Sequence, residues 1–426
     1  MIENMKWPGF GPADILLPKN CDMSKWSVVA CDQYTSQPEY WKRVEEYVGD
    51  APSTLRLILP EVYLSDGHLS ERHKQIRAAM QKCLDEDLFR VLPNSIIYVE
   101  RWLSNNQLRR GLVGVVDLEC YDYNAGSSNL IRATEGTVFS RIPPRVAVRR
   151  EAPLELPHVM MLIDDEERQV IEHLSSETDQ MELVYDFDLM EHGGHITGYC
   201  LNETQKRQVC AMLNAMNDQE RFCQRYDAPD ETIMLYAVGD GNHSLAAARD
   251  SYLELKELHP EYDWDHHPAR FAMVELVNLH EDSLVFEAIH RVCFMVDPED
   301  LLKELLEYYP GTYYGKGEGH CFEYVWAGGR GFITVPNPAI QLTVGTLQGF
   351  LDKYLLDKGG FVDYVHGVDV VEKLGSKPGN IGFILPPMGK GELFRSVIQD
   401  GSLPRKTFSM GAAQDKRYYL EARKIK

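Results

Sequence analysis

Thr232–Val238 is a continuous apolar run, the signature of a strand buried on both faces. It runs directly into Gly239-Asp240-Gly241-Asn242-His243-Ser244, and a helical pattern follows from Asn242 to Leu258 with Leu245, Ala248, Tyr252 and Leu255 as its stripe. Strand, glycine turn, helix is an order with physical consequences. A helix N-terminus offers unpaired N–H groups and about half a positive charge, so it attracts phosphate. Gly239 and Gly241 let the backbone take positive φ and approach a ligand. Asp240 accepts hydrogen bonds only, so beside a phosphate it needs a metal ion or a donor partner. His243 can donate to a phosphate oxygen or move a proton near neutral pH, and Ser244 adds a hydroxyl in the first turn. The alternative is structural: Asp240 or Asn242 caps the helix and the glycines make a tight connection.

Other segments support an α/β chain of mixed, α+β-like sheets. Strands are expected at 26–31, 95–103, 111–118, 159–163, 270–279, 292–296 and 381–385, and helices at 69–90 (Ser70 as cap), 203–223 and around Leu347–Leu355. A chain of 426 residues exceeds what one core supports, so several domains are expected. The reading divides it into an N-terminal α/β region (1–200), a central domain carrying the turn (201–300) and a C-terminal α/β region (301–426). The seam falls near 298–320, and the tail returns to the central domain.

Sixty-five acidic against 44 basic side chains give a formal charge of −21. Such a surface repels polyphosphate backbones, which counts against nucleic-acid binding, but local arginines can still hold a small phosphorylated ligand. Nine scattered cysteines without a C-x-x-C pair suggest free thiols in a reducing compartment. With no signal pattern in Met1–Lys6 and no long apolar stretch, a cytoplasmic protein without a membrane span is expected. Glu191-His192-Gly193-Gly194-His195 and Asp263-Trp264-Asp265-His266-His267 lack the i, i+4 histidines of a zincin, so they read as surface turns and no metal ligand is assigned. Walker, Rossmann and G-x-S-x-G motifs are absent.

Asp240-Gly241-Asn242-His243-Ser244-Leu245-Ala246-Ala247-Ala248 resembles the D-G-[HN]-H-R-x-x-A-A turn of the ParB/sulfiredoxin-like superfamily, which includes free-serine kinases. Over most of its length the chain resembles the family called domain of unknown function 1015. Glu135-Gly136-Thr137, Ile289-His290-Arg291-Val292, Asp363-Tyr364-Val365-His366 and Pro404-Arg405-Lys406-Thr407-Phe408 add to that likeness. The resemblance implies a ParB/sulfiredoxin-like central domain with a nucleotide phosphate or phosphorylated substrate at the turn. It also implies an acidic residue elsewhere that activates the acceptor hydroxyl. Ser244 stands where the superfamily has arginine, removing a bidentate phosphate grip.

Arg141 and Arg145, stiffened by Pro143-Pro144, are the natural substitutes, with a solvated basic loop as the alternative. Arg291 and Lys406 are further candidates for phosphate contact, and Asp32 and Glu135 for the general base. The expectation is a phosphotransferase using ATP or ADP with Mg²⁺ on a small hydroxylated metabolite such as an amino acid. A non-catalytic module binding nucleotide or phosphometabolite is the alternative, a ParB-like DNA-binding protein is disfavoured, and a homo-oligomer is left open.

Overall fold

The computed structural model describes residues 5–64, 67–124, 126–136 and 142–426, and the protein is α/β as expected. The chain forms two compact units: Met1–Ala133 with Thr137–Leu284 and Gly411–Lys426, and Thr134–Gly136 with Val285–Met410. The sequence reading divided the chain at 200 and 300, whereas the main boundary in compactness falls at Leu284. No helix among the described residues is long and apolar enough to cross a membrane.

Unit 1 is built on a mixed ten-stranded sheet. Its strands are β1 (Ile97–Trp102), β2 (Leu108–Asp117), β3 (Tyr121–Asp122), β4 (Ile131–Ala133), β5 (Met160–Ile163), β6 (Glu182–Asp188), β7 (His195–Cys200), β8 (Tyr236–Asp240) and β9 (Phe271–Asn278). Their spatial order is β6-β7-β1-β2-β9-β5-β8-β4-β3, and Phe10–Gly11 pairs with β2. The central β5 runs parallel to β9 and antiparallel to β8, and β8 runs parallel to β4. Alternate residues feed two cores, because strand side chains point to opposite faces. Tyr98, Leu112, Val116, Met161 and Val274 join one, and Ile97, Val99, Val113, Val115 and Met273 the other.

Besides Met23–Trp26 and Pro38–Val48, the helices of unit 1 include α1 (Leu69–Asp85), α2 (Ile142–Arg150), α3 (Glu203–Met216), α4 (Gln219–Tyr226) and α5 (Asn242–Leu258). The stripe of α5 packs on the first core through Leu245, Ala248 and Tyr252. Several expected bounds differ. The helix expected at 203–223 is broken after Met216, because the Asp218 side chain accepts from the Arg221 N–H and starts α4. α1 ends at Asp85, leaving Phe89–Ser95 free to pair with Ala13–Pro18, and its N-cap is His68, not Ser70. Near Trp26–Cys31 only Val28–Val29 is strand, and it pairs with Tyr418–Tyr419 of the tail.

Unit 2 carries a second sheet built on β10 (His290–Phe294), β11 (His320–Trp326), β12 (Gly329–Val335), β13 (Phe361–Val365) and β14 (Asn380–Ile384), with α6 (Thr343–Lys358). Within this unit Glu135 bridges Leu403.

Candidate functional site

Pairing of β8 with β5 brings Asp240 opposite Met160, so Asp240 ends its strand beside the residues that enter β5. Gly241 follows at φ +82° as the N-cap residue of α5. A Cβ there would lie 3.1 Å from the Val159 Cα, so both the backbone angle and the close approach require glycine. Gly239, by contrast, belongs to β8 and not to the turn. The N-cap position of α5 is Gly241, so neither Asp240 nor Asn242 occupies it. Asp240 Oδ1 accepts instead from the Gly241 N–H at 2.9 Å, and the Ser244 and Leu245 N–H groups donate to the Gly241 carbonyl at 2.9 and 3.0 Å.

The second oxygen of Asp240 lies 3.0 Å from Lys416 Nζ. Burial opposes ionisation of this carboxyl. The Lys416 charge and hydrogen bond, the His158 charge and the Gly241 N–H outweigh it, holding the carboxyl below the usual carboxylate range. Lys416 is held in place through its backbone. Arg101 donates to the carbonyls of Lys416 at 2.6 Å, Gln414 at 2.7 Å and Gly193 at 2.9 Å, and Arg109 to that of Asp415 at 2.7 Å. Beside them Arg417 pairs with both Glu275 and Glu421, and Tyr185 donates to Glu421 at 2.7 Å. All of these side chains are buried.

On the other side of the turn, Ser244 Oγ lies 3.0 Å from His158 Nε2, and His158 Nδ1 lies 2.7 Å from the Tyr419 hydroxyl. The Cys31 N–H donates to the same hydroxyl at 3.3 Å. His158 is buried. Burial lowers its pKa; the charges of Asp32 and Asp240 oppose the shift and those of Arg145 and Arg417 add to it. Burial and the Asp32 charge push the Cys31 thiol up to about 12, leaving it protonated. Ser244, His158, Tyr419 and Cys31 line a cavity of about 170 Å³ whose other walls are mostly aliphatic.

The expected residues are thus distributed as follows. Asp240, Gly241, Asn242, His243 and Ser244 form the turn, with Asn242 buried and His243 partly exposed. Arg145 faces the same cavity as Ser244 and forms an ion pair with Glu61. It lies on α2, so the segment expected to be held stiff by Pro143-Pro144 is a helix whose first turn accommodates both prolines. Arg141 lies outside the described residues. Asp32 accepts from Gln33 at 3.0 Å, and its charge acts on His158 and Cys31.

Glu135, Arg291 and Lys406 belong to unit 2. Glu135 accepts from the Lys406 N–H at 3.3 Å. Arg291 is fully buried and donates to the carbonyls of Ile289, Lys406 and Arg405 and to Gln348. Among the described residues no group of three or more His, Cys, Asp or Glu is placed to hold a metal ion. His195 is bracketed by Asp186 and Asp188 at 2.7 Å each, and His266 pairs with Asp263 at 2.9 Å.

Sequence reasoning missed Lys416, His158, Tyr419 and Arg101. His158 carried one usable signal, since it immediately precedes the apolar run expected as a strand at 159–163. The tail residues carried none nearby.

The family described as "Protein of unknown function (DUF1015)" matches residues 15–422, and the chain belongs to that family. No curated protein matches it. Weak likeness to solved structures extends to a free serine kinase in complex with AMP, at 11% identity and TM-score 0.37 over 73% of this chain and 91% of that one. SbnI with C-terminal truncation from Staphylococcus aureus shows 9% identity and TM-score 0.36 over 70% and 83%. A conserved hypothetical protein from Pyrococcus furiosus shows 10% identity and TM-score 0.34 over 73% and 94%.

Proposed function

We propose that this member of the DUF1015 family binds a nucleotide through its phosphates at the Asp240–Ser244 turn and transfers a phosphoryl group to a small hydroxylated metabolite. The observation that carries the reading is at the start of α5, where Gly241 is the N-cap residue and Lys416 stands against Asp240. Helix N–H groups and an ammonium together favour a polyanion. Lys416 supplies a cation at the turn where Ser244 replaces the arginine that the D-G-N-H resemblance implies. Unlike arginine it grips as a point charge, so orientation of the phosphates falls to the backbone.

Mg²⁺ in such sites rests on one or two carboxylates and the substrate's own phosphates, and Asp240 is the carboxylate that would take part. When bound, the ion would neutralise charge on the transferring group. The acceptor's proton has two candidate receivers in unit 1, Asp32 and His158.

The test is calorimetric titration of Mg·ATP and Mg·ADP into wild type, Lys416→Ala and Asp240→Asn. Binding by wild type that weakens at least tenfold in Lys416→Ala is expected. Absence of binding by wild type would end the nucleotide reading. The non-catalytic alternative rests on Ser244 standing where the D-G-N-H resemblance implies arginine. Following the γ-phosphate over hours with a pool of small alcohols and hydroxy acids separates the two.

A further inference from the structure

The cavity beside the turn has a chemistry that neither the turn nor the family likeness specifies. Its walls include Leu57, Leu59, Met80, Leu154, Ala248 and Met273. Among the described residues, the charged groups that line it are already matched: Arg145 pairs with Glu61, and Arg149 with Glu155 at 2.5 Å. A ligand there meets no unmatched charge in these pairs, so an added carboxylate or ammonium would be desolvated without a new partner. The uncharged polar feature among the described lining residues is the Ser244–His158–Tyr419 chain. Its hydroxyls and imidazole can each donate or accept, which suits a neutral hydroxyl. Size narrows the ligand further. An apolar protein cavity of about 150 Å³ takes a benzene molecule, and this one measures about 170 Å³.

We infer that this cavity binds a small neutral alcohol whose body is a single aromatic ring or a branched hydrocarbon of similar size, with its hydroxyl on Ser244 and His158. A zwitterion such as free serine would leave both its charges without partners there. That this hydroxyl is the phosphoryl acceptor rests on the reading above. In that case the acceptor oxygen bonds to the terminal phosphorus of a nucleoside triphosphate and the bond from that phosphorus to the diphosphate breaks. The diphosphate leaves, and the hydroxyl proton passes to His158 Nε2.

The experiment uses the full chain labelled at the methionine methyls with carbon-13. Benzyl alcohol, 3-methylbutan-1-ol, benzoate and serine are each titrated while the Met80 and Met273 resonances are followed, assigned from Met80→Leu and Met273→Leu. The two alcohols are expected to shift both methyls with saturation, and to bind at least tenfold tighter than benzoate or serine. Ala248→Leu, which fills the cavity, should remove the shifts while the Mg·ADP titration is unchanged. If that variant does not fold, Ser244→Ala should weaken benzyl alcohol about tenfold and leave toluene unaffected. No shift with either alcohol, or preference for serine or benzoate, overturns the inference. Saturating alcohol shifts in a protein that binds no nucleotide would support the pocket and fail only the nucleotide reading.

Discussion

Two buried arginines, one in each unit, do the same work with different results. Arg101 in unit 1 and Arg291 in unit 2 both direct their N–H donors at backbone carbonyls of a C-terminal segment, residues 414–416 and 405–406 respectively. Burial depresses both, to about 9 and about 10. Each stacks on a tyrosine ring, Tyr418 at 4.9 Å and Tyr364 at 5.0 Å. In unit 1 the segment so fixed presents the Lys416 ammonium to Asp240, whereas in unit 2 it presents the Lys406 N–H to Glu135. In the proposed site the cation is therefore not the arginine but the residue whose backbone the arginine holds. A search of the sequence for phosphate-binding cations favours arginine by type. Folding has assigned these two to the interior, where a planar guanidinium can satisfy several carbonyls at once.

The largest expected effect tests the buried charges beneath Lys416. Arg417→Met leaves Glu275 and Glu421 without their common partner, which should cost about 3–5 kcal/mol. Urea unfolding should show it as a lowered midpoint. A midpoint unchanged from wild type would mean that the network does not support the tail. Next is Arg291→Met, which strands several carbonyls and should cost about 2–3 kcal/mol, read as faster amide exchange around 404–408. The same variant sharpens the comparison, since its Mg·ADP affinity should stay within twofold of wild type. A large loss of affinity would restore Arg291 as a phosphate ligand.

The sequence was most legible where structure is local. α5 spans Asn242–Leu258 as its apolar stripe predicts, because the same residues that set the period make the contacts. The strand before it begins four residues later than expected, at Tyr236, and takes in Gly239 and Asp240. That shift comes from ladder pairing with Ile131–Ala133 and Met160–Leu162, which local hydrophobicity does not encode. The break at Asn217 escaped notice because apolar residues continue across it as Phe222 and Tyr226. Within the site, the turn could be read and its partners could not. Lys416 meets Asp240 across 176 positions, and its placement depends on Arg101 and Arg109 from adjacent strands. Lysine 416 and lysine 406 are equally ordinary in the sequence, and only the fold distinguishes them.

The two remaining predictions act on the turn itself. Lys416→Ala removes a charge-assisted contact worth about 1.5–3 kcal/mol, equivalent to roughly a tenfold to hundredfold loss in Mg·ADP affinity. Retained affinity would shift the weight of phosphate binding to the α5 backbone. The smallest effect concerns His158. In the folded protein its pKa lies below the usual value, chiefly through burial. The carboxylates of Asp32 and Asp240 face it on one side of the balance and Arg145 and Arg417 on the other, with Tyr419 on Nδ1 and Ser244 on Nε2. The unfolded chain takes up this proton near pH ~6.5, while the folded one resists it. Stability from this group is therefore full above pH ~6.5 and declines as the pH falls toward the folded value. His158→Gln cannot titrate, so its stability should vary less between pH 7.5 and 5 than that of wild type. Curves that remain parallel would mean that His158 does not titrate as a buried neutral ring, and its case as a proton acceptor at the turn would fall with that result.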